Sequence, residues 1–126
     1  MRFIVFVAAL FLASPLMAQG ISRWIGQGPS EILADESWQV QFVGVIGNDG
    51  LRRLQDDLVV EEPVVRDGDW IVGTGCAPHQ CGDVMGGFAI SISTGEILAV
   101  VHDDAGIKVW GDLTHLPGAL SGMVVE

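Results

Sequence analysis

The sequence predicts an α+β domain: an antiparallel β-sheet of about five strands, short flanking helices and a protruding loop closed by a disulfide. Three observations predict it. Short runs of alternating apolar and polar residues recur along the chain, turn signals separate them every eight to twelve residues or so, and one stretch carries apolar residues at helical spacing instead. No internal repeat, low-complexity tract or linker divides the chain, so residues 19–126 read as one domain.

Residues 1–18 read as an export signal and not as part of that domain. Arg2 is the positive start, residues 3–13 are an unbroken apolar run, and Ser14-Pro15-Leu16-Met17-Ala18 supplies a polar break and a small residue before a cut at Gln19. The run is shorter than the roughly 20 apolar residues that span a bilayer. No later stretch is long and apolar enough to anchor the chain, so the expected product is a soluble periplasmic protein, its signal cleaved and without a membrane anchor.

Within the domain, residues 21–36 mix Trp24, Ile25, Ile32 and Leu33 with Gly26, Gly28 and Pro29, which suits a short helix or two turns packed on the sheet. Residues 38–46 place Trp38, Val40 and Phe42 on one side and Gln39 and Gln41 on the other, the period of a half-buried strand. Gly47-Asn48-Asp49-Gly50 ends it, and Asn48 or Asp49 can cap a helix over residues 51–58, where Leu51, Leu54 and Leu58 share a face. Val64-Val65 and residues 70–74 flank Arg66-Asp67-Gly68-Asp69, whose Asp-Gly pair signals a hairpin. Phe88, Ile90 and Ile92 alternate with small residues, turn at Thr94-Gly95 and return over residues 97–101. That return strand is apolar on both sides, which predicts a central strand covered by helices on one face. Asp103-Asp104-Ala105-Gly106 turns into residues 107–110, and Asp112 caps a short last helix that Pro117-Gly118 interrupts. Trp24, Trp38, Trp70 and Trp110 are core candidates by their placement.

The formal net charge is -10, and -11 once Arg2 leaves with the signal. Nucleic-acid binding needs a basic footprint and is not expected. A strongly acidic surface steers a cationic partner, although net charge also serves solubility alone. Asp56, Asp57, Glu61 and Glu62 read as a solvated face, His102 as part of a solvated turn, and His115 as a surface or helix-end residue.

Cys76 and Cys81 are the two cysteines of the chain, and in an exported protein they read as one disulfide. A ring this small gains roughly 2 kcal/mol from chain entropy, little for a whole fold. The bond therefore reads as placed to shape its own loop, Cys76-Ala77-Pro78-His79-Gln80-Cys81. Pro78 restricts its own φ and biases Ala77 toward extended geometry, while Gly75 and Gly82 let the backbone enter and leave. His79 is the one long, chemically versatile side chain at the apex. Other readings carry less weight. Four residues between the thiols, instead of two, disfavour a redox pair. Two thiols and one histidine leave zinc a ligand short, so no metal is expected, and no cofactor motif is present.

This loop resembles that of the Ivy-type inhibitors of vertebrate lysozyme, whose mark is a periplasmic signal, an antiparallel sheet with helices, and a Cys-Lys-Pro-His-Asp-Cys loop. Cys76, Pro78, His79 and Cys81 match it position for position, and Gly82 continues the match. The likeness extends more weakly over residues 70–110 and is not apparent in the N-terminal third. The resemblance implies a non-enzymatic inhibitor whose loop enters the cleft of a cationic, c-type lysozyme and lays His79 between the two catalytic carboxyls. It also implies that the chain can pair as a homodimer. Ala77 stands where the family motif has Lys and Gln80 where it has Asp, so the loop lacks one charge of each sign. That difference bears on target and potency, and leaves another lysozyme type or a bacterial lytic transglycosylase open as the target. A small envelope adaptor, or an immunity-type binding module, is the reading from a different class.

Overall fold

The computed structural model describes residues 20–124; the export signal assigned to residues 1–18 lies outside them. Helix α1 (Pro29–Ala34) leads into the long helix α2 (Glu36–Asp56). Six strands follow: β1 (Val60–Glu61), β2 (Val65–Asp67), β3 (Trp70–Cys76), β4 (Met85–Ser91), β5 (Ile97–Asp103) and β6 (Gly106–Trp110). A 3-10 turn (Leu113–His115), the short helix α3 (Gly118–Ser121) and a second 3-10 turn (Gly122–Val124) close the domain. The expected α+β class therefore holds. The extra strand is β1, two residues long and too short to leave a periodic signal.

One expectation is overturned: residues 38–46 are not a strand but the first half of α2. Asp35 caps the helix, its carboxylate accepting from the N–H groups of Ser37 (3.1 Å) and Trp38 (3.3 Å). Trp38, Phe42, Ile46, Gly50 and Leu54 then fall four residues apart. Phe42 and Leu54 are fully buried, whereas Val40, which completes the apparent strand alternation, is 70% exposed. The expected break at residue 47 is real. Gly47 adopts φ 76°, ψ 171°, which kinks α2 without ending it. The second half, predicted as a helix, buries Leu51 and Leu54.

All strand pairs are antiparallel, in the order β1-β3-β4-β5-β6, with β2 also pairing β3 beyond the end of β1. The predicted Asp-Gly hairpin pairs Asp67 with Trp70. On one face, Ile71, Phe88, Ile90, Ala99 and Val101 pack against Phe42, Leu54 and α1, with the Phe42 and Phe88 rings edge to face at 5.2 Å. On the other, Val72, Ala89, Leu98 and Val100 are covered by Leu120 and Met123 of the C-terminal turns. Strand β5 is thus an interior strand covered on both faces, one face more than expected. All four tryptophans are partly buried against these two clusters.

Candidate functional site

The β3–β4 connection is a built hairpin tip. Cys76, the last residue of β3, is disulfide-bonded to Cys81 across a Cα–Cα distance of 5.0 Å. Inside the ring, Gln80 N–H donates to Ala77 O (3.1 Å), closing a turn with Pro78 second and His79 third. A positive φ at the third position makes this a type II pattern, which glycine ordinarily fills. Here His79 takes it at φ 63°, the one non-glycine positive φ among the described residues. A second turn follows, with the N–H groups of Asp83 and Val84 donating to Gln80 O (3.0 and 2.9 Å) and Gly82 at φ 104°. Ala77 N–H to Val84 O (3.1 Å) ties the two halves together. Ala77 is half-buried at the root. Pro78, His79, Gln80 and Cys81 are exposed, so the six residues singled out in the sequence form one projecting tip.

The base of this hairpin is seated on the end of α2. A Cβ on Gly75 would lie 2.7 Å from Val60 O and 2.9 Å from Leu58 Cδ2, and one on Gly86 would lie 3.2 Å from Asp57 Cβ. Gly75 therefore serves close approach of the chain, not the entry turn expected of it. Gly82 does serve a turn, as expected.

Beneath the base lies a charge cluster that sequence reasoning missed. Arg53 clamps Asp103 with two hydrogen bonds of 2.6 Å, Nε to Oδ2 and Nη2 to Oδ1, and its Nη2 also donates to Gly106 O (2.9 Å). Asp57 sits beside them, 6% exposed, with Oδ2 lacking any partner. Burial, then a hydrogen bond with Asp103, pushes its carboxyl up to about 7. The hydrogen bonds from Arg53 hold Asp103 down at about 2. A neutral Asp57 beside an ionised Asp103 is the arrangement that both directions favour. The other supposed members of a solvated acidic face divide as well. Asp56 is exposed, whereas Glu61 accepts from Ser30 N–H (2.8 Å) and Ser30 Oγ (3.0 Å) at the start of α1. No sequence period marks these roles, because each partner is remote in the chain.

The remaining histidines are structural. His102 is half-buried rather than solvated, its Nδ1 3.1 Å from Met123 O. His115 is on the surface as expected, pairing with Glu96 (3.0 Å) and Asp112 (3.5 Å), and the Glu96 hydrogen bond raises its pKa. A cavity of about 470 Å³ lies at the far end of the sheet, by the β4–β5 turn, lined by Arg23, Ser37, Trp38, Gln41 and Thr94 with no acid or histidine. Among the described residues no three His, Cys, Asp or Glu side chains converge as metal ligands, and no helix is long and apolar enough to cross a membrane.

The described residues thus form an α+β domain whose sheet is covered on both faces and whose β3–β4 hairpin ends in an exposed, disulfide-closed tip bearing His79. The family model described as inhibitor of vertebrate lysozyme (Ivy) matches residues 41–126, more than half of the chain. The chain belongs to that family of lysozyme inhibitors. The match begins within α2 and extends well beyond the residues 70–110 over which the sequence likeness is apparent. No curated protein and no solved structure gives a significant match.

Proposed function

We propose that the protein is exported to the periplasm, residues 1–18 being its signal and residues 19–126 the inhibitor domain, and that it blocks a c-type lysozyme with the loop Cys76–Cys81. In this reading His79 enters the cleft and lies between the catalytic carboxyls. The observation that carries it is the backbone of His79. A left-handed conformation costs an L-residue about 1–2 kcal/mol, and glycine would avoid that cost, so retaining an imidazole there favours function over stability. The chemistry suits the target. A retaining glycosidase holds a protonated acid and an ionised carboxylate about 5–5.5 Å apart, and an imidazole can accept from one and donate to the other without offering a bond to cleave. Lysozymes are usually cationic, so a chain of net charge -10 gains on-rate from steering.

The test is titration of the purified protein against a c-type lysozyme lysing bacterial cell walls, with His79→Gly alongside. Glycine suits the turn, so the variant should keep its fold and lose inhibition. Undiminished inhibition by His79→Gly would refute the plug. Ala77 and Gln80, uncharged where the family's loop carries Lys and Asp, support including other muramidases and a lytic transglycosylase as targets. Failure against all of them would favour an adaptor or immunity-type module.

A further inference from the structure

Strand register places a second feature at the root of the loop. Val60 is paired with Cys76, Cys76 with Met85, Met85 with His102, and His102 with Ile107. Directly paired residues of antiparallel strands project to the same side, so these five side chains form one row across the sheet. The face is fixed by their neighbours. Val72, Ala89, Leu98 and Val100, an even number of residues away along their strands, pack under Leu120 and Met123, as Met85 does at the edge of that cluster. His102 meets Met123 O on the same face.

Among the described residues the C-terminal cover reaches only the middle of this row, where Met85 packs at its edge and His102 Nδ1 lies 3.1 Å from Met123 O. A Cβ on Gly87, two residues beyond Met85, would already strike Leu120 Cδ2 at 2.6 Å, so the cover is tight there. Val60, by contrast, is 49% exposed, and Cys76, Met85, His102 and Ile107 are each only half-buried. The row is therefore a largely apolar shelf. Cys76 leaves the sheet on this side, so the disulfide ring closes over the same face.

We propose that this shelf, Val60-Cys76-Met85-His102-Ile107, is a second contact surface that seats one lip of the lysozyme cleft when the loop is inserted. The inference rests on the inhibitor reading above and names where that partner touches the domain itself. Continuity argues for this occupant: a cleft deep enough to take the loop to its root must bring a wall down onto the row from which Cys76 projects. Charge argues for it too. Exposed Asp83 and Asp104 flank the shelf at the loop end, and Lys108, the cation on β6, points to the opposite face over the Trp110 ring. An apolar strip bordered by carboxylates fits a cationic protein with an apolar cleft rim.

The experiment compares inhibition constants of wild type, Val60→Arg and Val60→Thr against a c-type lysozyme, with Val40→Arg as a control on exposed α2 and melting curves for each. Val60→Arg should weaken inhibition about tenfold or more, the scale of a central interface contact, while Val40→Arg changes nothing. Val60→Thr keeps the β-branched shape in β1, and it should weaken inhibition by about threefold even if the arginine variant proves unstable. Wild-type inhibition with both Val60 variants folded and unimpaired would overturn the shelf and leave the loop mechanism standing. If wild type inhibits no c-type lysozyme, the functional reading fails and the shelf, as a seat for that partner, fails with it.

Discussion

Replacing Asp57 by Asn should stabilise the protein more at pH 8 than at pH 5, and change it little near pH 4. The folded-state pKa of Asp57, about 7, lies above the ordinary value of 3.8, so between these values the native state holds a proton that the unfolded chain has released. Stability from this group is fully present below about pH 4 and is lost as pH rises through 7. At 1.36 kcal/mol per unit, the whole shift is worth at most about 4 kcal/mol. Roughly 3 kcal/mol of that falls between pH 5 and 8, and water reaching one edge of the cluster reduces the expected loss to about 1–2 kcal/mol. Asp103 does not contribute there, since it titrates near 2 and its stabilisation is lost only as pH falls through that value. His115, raised by Glu96, also loses its contribution as pH rises, but equally in both proteins. An Asn amide is neutral, as the protonated acid is, and cannot ionise. Urea unfolding at pH 5, 6, 7 and 8, with equal m-values, should show wild type falling below the variant by about 1–2 kcal/mol at the upper end. Parallel profiles across the range would refute the neutral Asp57.

Phe42→Ala removes a fully buried ring packed edge to face on Phe88 and should cost about 3–5 kcal/mol in urea unfolding. A cost below about 1 kcal/mol would place the side chain outside the core. Asp35→Ala removes the acceptor for Ser37 and Trp38 N–H groups and should cost about 1 kcal/mol, with far-UV circular dichroism losing helical signal on heating sooner than in wild type.

The sheet was legible where chemistry is local. Strands β3 to β6 carry alternation or an apolar run between turn residues, and Asp67-Gly68 announced its hairpin. The strand expected over residues 38–46 failed because Trp38 and Phe42 satisfy both periods. Trp38 and Phe42 are two alternations apart and also four residues apart, and exposed Val40 tipped the pattern toward the wrong one. The cue that separates them is Asp35, an N-cap just before the run. The loop was legible because its ring, proline and histidine are contiguous. Asp57 was not, since its burial depends on Gly75 and Gly86 leaving room for the end of α2, and on Arg53 meeting Asp103 fifty residues later.

These remote contacts and the loop are mechanically one arrangement. A left-handed His79 persists only where its surroundings over-determine the turn. The disulfide and the hydrogen bonds from Gln80 and Ala77 do this within the ring, but the ring itself hangs from Cys76 and the strand it ends. That strand is held to β4 through Gly75 and Gly86, a pair bare of side chains, on which Leu58 and Asp57 rest. The small residues let α2 brace the root of the hairpin directly. A bulkier residue at either position would lift the brace and loosen the loop before it touched the apex, so the aim of His79 depends on two glycines as much as on its own ring.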